Sequence, residues 1–179
     1  TEFNKSMSGV SAVAGATAAE MSQLREAALQ AGADTVFSAS EAATAQGELA
    51  KAGVSVADIL GGALAGSLGL AAAGQLDLGQ AAEISAQALN IFGLAGDQTT
   101  RVADTLAAGA NKSAADVAQL GDALRQGGLL AAQTGLTLEE TAGVLSLFAD
   151  NALIGSDAGT SLKTMLQRLA PTTGPAADA

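Results

Sequence analysis

The pentapeptide Gly109-Ala-Asn-Lys-Ser113 ends in the Lys-Ser pair that closes a phosphate-binding loop. Such a loop holds phosphate on backbone amides, and the pattern places glycine at 106 and 111 so that the chain can come close enough. The chain carries Leu106 and Asn111 instead, and no strand-like run precedes them. Nucleotide binding is not expected. Glu139 and Glu140 suggest acid-base chemistry, but consecutive residues on a helix do not face each other, and Glu140 is placed to cap its own helix. The stretch from Asp150 to Asp157 offers too few oxygen ligands at the intervals a calcium loop needs. No catalytic, cofactor-binding or metal-binding residue is therefore assigned.

Two absences remove whole classes of chemistry. The chain has no His and no Cys, so Ser-His-Asp and Cys-His catalysis, HExxH zinc sites, thiolate sites and disulfides are unavailable to it. An enzyme is not expected, nor any cofactor. Eighteen Asp and Glu against eight Lys and Arg leave a formal net charge of -10, which opposes contact with nucleic acid phosphates and with anionic lipid.

The elements beneath these residues are read from helix punctuation. Ser38-Ala-Ser-Glu41, Ser55-Val-Ala-Asp58, Ser113-Ala-Ala-Asp116 and Thr137-Leu-Glu-Glu140 each pair a hydroxyl with a carboxylate three residues on. That is the reciprocal cap of a helix start, and Asp77-Leu-Gly-Gln80 is a variant of it. Stops are predicted at Gly32, Gly53, Gly74, Gly93, Gly135 and Gly155, because glycine takes the left-handed conformation at least cost. Apolar residues at helical spacing, such as Leu162, Met165, Leu166 and Leu169, agree. The prediction is an all-α array of about seven to eight short helices over about 15–31, 39–52, 56–73, 78–92, 97–109, 114–134, 138–151 and 157–169. With 22 Gly, four Phe and no Trp or Tyr among 179 residues, its core must be thin.

The corners Ala52-Gly-Val-Ser-Val-Ala-Asp58 and Thr134-Gly-Leu-Thr-Leu-Glu-Glu140 share one design, a glycine stop, an apolar residue and a hydroxyl cap. They are either a duplicated hairpin or two corners that converged on the same chemistry, and convergence is favoured. The uncharged run 59–76 carries Gly62 and Gly66 in a GxxxG arrangement, with Ala65 and Gly69 continuing the small spacing. Its many Ala and Gly give little transfer energy, which favours buried core over membrane insertion of 59–74 or an inter-chain contact. The chain starts at Thr1 without an initiator Met or leader pattern, so it is expected to be an interior piece of a longer protein. Residues 1–170 would form the helical region, and 171–179, mostly Pro, Thr, Gly and Ala, the start of a linker.

An ordered set of short segments runs through nearly the whole chain: Phe3-Asn-Lys-Ser-Met7, Val10-Ser-Ala-Val-Ala-Gly-Ala16, Phe37-Ser-Ala-Ser-Glu-Ala-Ala43 and Leu49-Ala-Lys-Ala-Gly-Val-Ser55. Ala88-Leu-Asn-Ile-Phe-Gly-Leu94, Ala110-Asn-Lys-Ser113, Gly135-Leu-Thr-Leu-Glu-Glu-Thr141 and Gly159-Thr-Ser-Leu-Lys-Thr-Met-Leu-Gln-Arg-Leu169 follow. In order and spacing the set resembles the shared region of phage tail tape measure proteins. The resemblance implies a virion structural protein of a long-tailed phage or prophage that sets tail length during assembly and leaves through the tail tube at genome ejection. Implied partners are other copies of itself and tail tube, distal tail and tail assembly chaperone proteins, while transient host membrane contact would rest on the apolar run 59–74. The implied places are the tube lumen or tail tip, and the host cytoplasm during assembly. No catalytic residue comes with the resemblance, and the chain does not resemble the peptidoglycan-cleaving domains that some members carry elsewhere.

The charge balance gives a first test. In a gel-shift assay at physiological salt the chain should leave duplex DNA unshifted, and salt-sensitive retardation would overturn the charge argument.

Overall fold

The computed structural model describes residues 1–169; the expected linker at 171–179 lies outside them. The described residues hold nine helices and no strand. They are α1 (Glu2–Ala14), α2 (Ala18–Asp34), α3 (Ala39–Lys51), α4 (Val56–Gly74), α5 (Leu78–Phe92), α6 (Thr99–Asn111), α7 (Val117–Gln133), α8 (Leu138–Asp150) and α9 (Gly155–Leu169). A single 3-10 turn, Gly96–Gln98, precedes α6. This is the all-α array that the punctuation predicts, with α1 added at the N-terminus. The helix expected at 15–31 begins later, because Gly15 turns left-handed at φ 58° and Thr17 then caps α2 through a reciprocal bond with Glu20.

The chain divides into two compact units, the first from Thr1 to Ala107, the second beginning at Ala108. In the first unit α3 is the central element, with α1, α2 and α5 packed against it and α4 against α5. Ala42, Ala43, Ala45, Gln46, Gly47 and Leu49 of α3 are all buried. The three alanines and Gly47 let neighbouring helix axes come close, since interaxial distance follows side-chain size at the contact. Gln46 is wholly buried and donates its Nε2 proton to the Leu24 carbonyl of α2 at 2.9 Å. In the second unit α7 has the central place, holding α9 and α8. A Cβ built on Gly127 would run into the carbonyl of Gly159, and one built on Gly159 into that of Ala123, so α7 and α9 meet backbone to backbone.

All four Phe are only half-buried, and the largest wholly buried side chains are Leu, with Met7 and Ile59. Large aromatic anchors are missing from the core.

The punctuation is kept at most positions and corrected at four. Ser38 with Glu41 and Thr137 with Glu140 form full reciprocal caps, and Ser55 and Asp77 cap their helices from one side. The predicted pair of Ser113 with Asp116 is not formed. Asp116 itself caps α7, reciprocally with Gln119, while the Ser113 hydroxyl donates to the Gly109 carbonyl at the end of α6. Gly32 is no stop either: α2 runs through it to Asp34, and the position is glycine because a Cβ there would meet the Ala39 backbone nitrogen at 2.5 Å. At the end of α4 the left-handed residue is Gln75 at φ 52°, one place beyond Gly74. Gly155 is left-handed at φ 57° as expected but opens α9 instead of closing α8, and Ala152 at φ 65° takes the turn directly after α8.

The two similar corners are one structure used twice. Gly53 and Gly135 stand at φ 87° and 92°. In each, three N–H groups donate back four, three and five residues: Ala52 to Glu48, Gly53 to Ala50 and Val54 to Leu49 in the first, Thr134 to Leu130, Gly135 to Ala132 and Leu136 to Ala131 in the second.

Glycines at backbone contacts and glycines facing solvent should respond oppositely to one methyl group. Gly127→Ala and Gly159→Ala should each destabilise by about 1–3 kcal/mol through overpacking. Gly143→Ala, in the middle of α8 with nothing within 4 Å, should be neutral or stabilising by up to about 1 kcal/mol. Denaturant unfolding of the three variants checks the sign of each.

Candidate functional site

Each residue set with a chemical pattern ends in a structural role. The Gly109-Ala-Asn-Lys-Ser113 segment lies at the C-terminus of α6, where the unpaired backbone groups are carbonyls and repel an anion. A Cβ on Gly109 would sit 3.0 Å from the Leu120 side chain and 3.1 Å from the Ser146 hydroxyl, so this glycine serves helix packing. Ser113 accepts from the Ala115 N–H and donates to the Gly109 carbonyl, which turns the chain toward α7.

The carboxylates are equally engaged. Glu140 accepts from the Thr137 N–H at 2.8 Å and from its hydroxyl at 3.0 Å, and these bonds hold its pKa below the ordinary 4.5. At neutral pH it is an ionised cap and no proton donor. Glu20 and Glu41 are lowered in the same way by Thr17 and Ser38. Asp150 accepts from the Ala114 N–H at 3.1 Å. Among the described residues no three acidic side chains gather as a metal site would require.

One open groove gathers carboxylates and hydroxyls, lined by Glu2, Ser6, Ser38, Glu41, Thr44 and Asp77. Its polar character also comes from capping. Glu41 is bound to the Ser38 N–H, and Asp77 accepts from the N–H groups of Gly79 and Gln80.

The small-residue run of α4 divides into two faces. Gly62 and Gly66 face the 96–99 turn: a Cβ on Gly66 would stand 2.6 Å from the Thr99 backbone carbon, and one on Gly62 3.3 Å from Asp97 Cα. The GxxxG spacing is used inside the first unit. Ala65 and Gly69 lie on the exposed face, with nothing within 4 Å of a Cβ on Gly69. Near the N-terminus the Arg25 guanidinium lies 5.0 Å from the centroid of the Phe3 ring and donates to Asn4 Oδ1 at 3.1 Å, tying α1 to α2. This contact joins residues 22 apart, and no local spacing in the sequence announces it.

Among the described residues these groups serve capping and packing, so relationship carries more than geometry. A family model for phage-related minor tail proteins matches residues 25–179. The chain belongs to the phage tail tape measure family. It is 40% identical over 172 residues to a tape measure protein of Pneumococcus phage Dp-1, a match covering 96% of this chain and 15% of that protein. It is 36% identical over 180 residues to a probable tape measure protein of Escherichia phage P2, covering 99% of this chain and 22% of that protein. The chain thus spans less than a quarter of the length of these tape measure relatives. No solved structure matches it. Membership of the tape measure family gives the chain a structural role in the phage tail and a place in the virion.

The caps give a pH prediction with a definite sign. Three glutamates whose folded pKa lies below the unfolded value contribute stability that is complete above about pH 4.5 and lost as pH falls through their lower folded values. Thermal unfolding followed from pH 6 to pH 3 should show that loss. The triple variant Glu20→Gln, Glu41→Gln, Glu140→Gln should start less stable and fall less steeply.

Proposed function

We propose that this region is a folded helical module of a tail tape measure protein, acting in tail assembly and genome ejection, while the extended tape lies elsewhere in the full protein. A continuous helix rises about 1.5 Å per residue, so 179 residues would make about 270 Å of tape. The observation that carries the opposite reading is the division of the described residues into helices of 19 residues or fewer, most of them bounded by caps or left-handed turns. Each has buried residues that need a neighbour, and isolated helices of this length are marginal in water.

In this reading the module takes part in setting tail length as a fixed element. It assembles with other copies of itself and with tube, distal tail and chaperone proteins, in the tube lumen or at the tail tip, and it leaves through the tube at infection. Its acidic surface suits passage through a tube that must not retain DNA.

A second reading, a membrane-active module, rests on α4, which at 19 residues is long and apolar enough to cross a membrane. The purified chain separates the two: a structural module leaves liposomes intact, and leakage would support insertion.

The decisive experiment is genetic. Deleting 137–151, which removes α8 and its caps, from the full-length protein should abolish or impair tail formation or infection. Viable particles with tails shortened by about 1.5 Å per deleted residue, or about 22 Å, would show by electron microscopy that the segment belongs to the tape.

A further inference from the structure

Within α4 a single residue departs from helical geometry. Gly62 stands at φ 154°, ψ -18°, while Asp58, Ile59, Ala63 and Leu64 around it all have right-handed helical angles. The break comes with a π turn over Ile59–Ala63, in which the Leu64 N–H donates to the Ile59 carbonyl. Single π turns inside helices recur where function needs an irregular backbone. The sequence does not demand the bend, since no proline lies in 56–74 and glycine also adopts the ordinary helical angles.

A clasp outside the helix supplies the reason. Asp58 Oδ1 accepts from the Gly96 N–H at 3.1 Å, and its Oδ2 accepts from the Ser55 hydroxyl. Gly96 lies so close to Asp58 that a Cβ would enter the Asp58 side chain, and its carbonyl accepts from the Thr99 hydroxyl at 2.6 Å. Gly62 and Gly66 then rest on Asp97 and Thr99 of the same turn. Three glycines and one carboxylate thus seat the two arms of α4 on one short turn.

We propose that Gly62 is a hinge held bent by the Asp58–Gly96 clasp, and that releasing the clasp converts 56–74 into one straight helix. Rotation at one residue is enough, because its neighbours already have helical angles. The straight form spans about 28 Å over 19 residues and lifts Gly66 from Thr99, so anything that draws the 96–99 turn aside is coupled to the direction of α4. The inference is independent of the tape measure reading.

The chain has no Cys, so spin labels can be placed at will. With labels on Ala57→Cys and Ala73→Cys, both exposed positions, the bent form should give a separation shorter than the roughly 24 Å that sixteen residues of straight helix allow. Asp58→Ala, Gly96→Ala and Gly62→Ala should each lengthen the separation toward that value with helix content retained by circular dichroism. Asp58→Asn, which keeps an acceptor for the Gly96 N–H, should stay bent. If Asp58→Ala folds with the original separation, the clasp does not hold the bend; if it loses helix signal, the segment melts instead of straightening. Either result overturns the proposal.

Discussion

Close backbone approach is the constraint on which everything else in the molecule depends. A chain with four Phe, no Trp and no Tyr cannot fill wide gaps between helices, so its helices must meet where side chains are smallest. Gly127 against Gly159 is the clearest contact of this kind, and the alanine-lined burial of α3 is its broader form. Packing this close demands well-fixed helix ends, because a helix sliding by one residue would bring a Cβ against a neighbour's backbone. The reciprocal caps at Thr17, Ser38, Asp116 and Thr137 set those ends. Caps and glycine contacts therefore act together, the former fixing register and the latter making register matter.

The same constraint explains what the sequence disclosed and what it concealed. Caps are local, so Ser38 with Glu41 and Thr137 with Glu140 were legible from spacing alone. Thr17 with Glu20 has the same spacing but falls inside the helix expected at 15–31, which masks it as a start. Ser113 failed because Asp116 offered a second acceptor three residues later, with Gln119 placed to reciprocate. Glycine is harder to read, since one residue serves both turns and close contacts. Gly53, Gly93 and Gly135 adopt positive φ at helix ends, while Gly32 sits within α2 for reasons that lie on α3. α1 buries only Met7 and Val10, too few for an apolar stripe that spacing would reveal.

The chemistry of the site shows a similar division. The lack of His and Cys and the incomplete phosphate-loop pattern were properties of the sequence itself. What could not be read was the occupation of the remaining polar groups, since Asp150 on the Ala114 N–H and Asp58 on the Gly96 N–H are bonds across 36 and 38 residues. The GxxxG run of α4 gave the right residues without the right partner. Its glycines meet a turn of the same unit, and the turn lies 30 or more residues downstream.

Short capped helices also determine how such a chain yields to force. Under tension along the backbone, a helical residue goes from about 1.5 Å to as much as about 3.4 Å of contour, so a 13-residue helix such as α8 releases about 25 Å when it opens. Because each helix is marginal without its neighbours, opening one weakens the rest of its compact unit, and the chain yields unit by unit. A protein drawn through a narrow passage from one end would thus meet a few resistances, each the size of one compact unit.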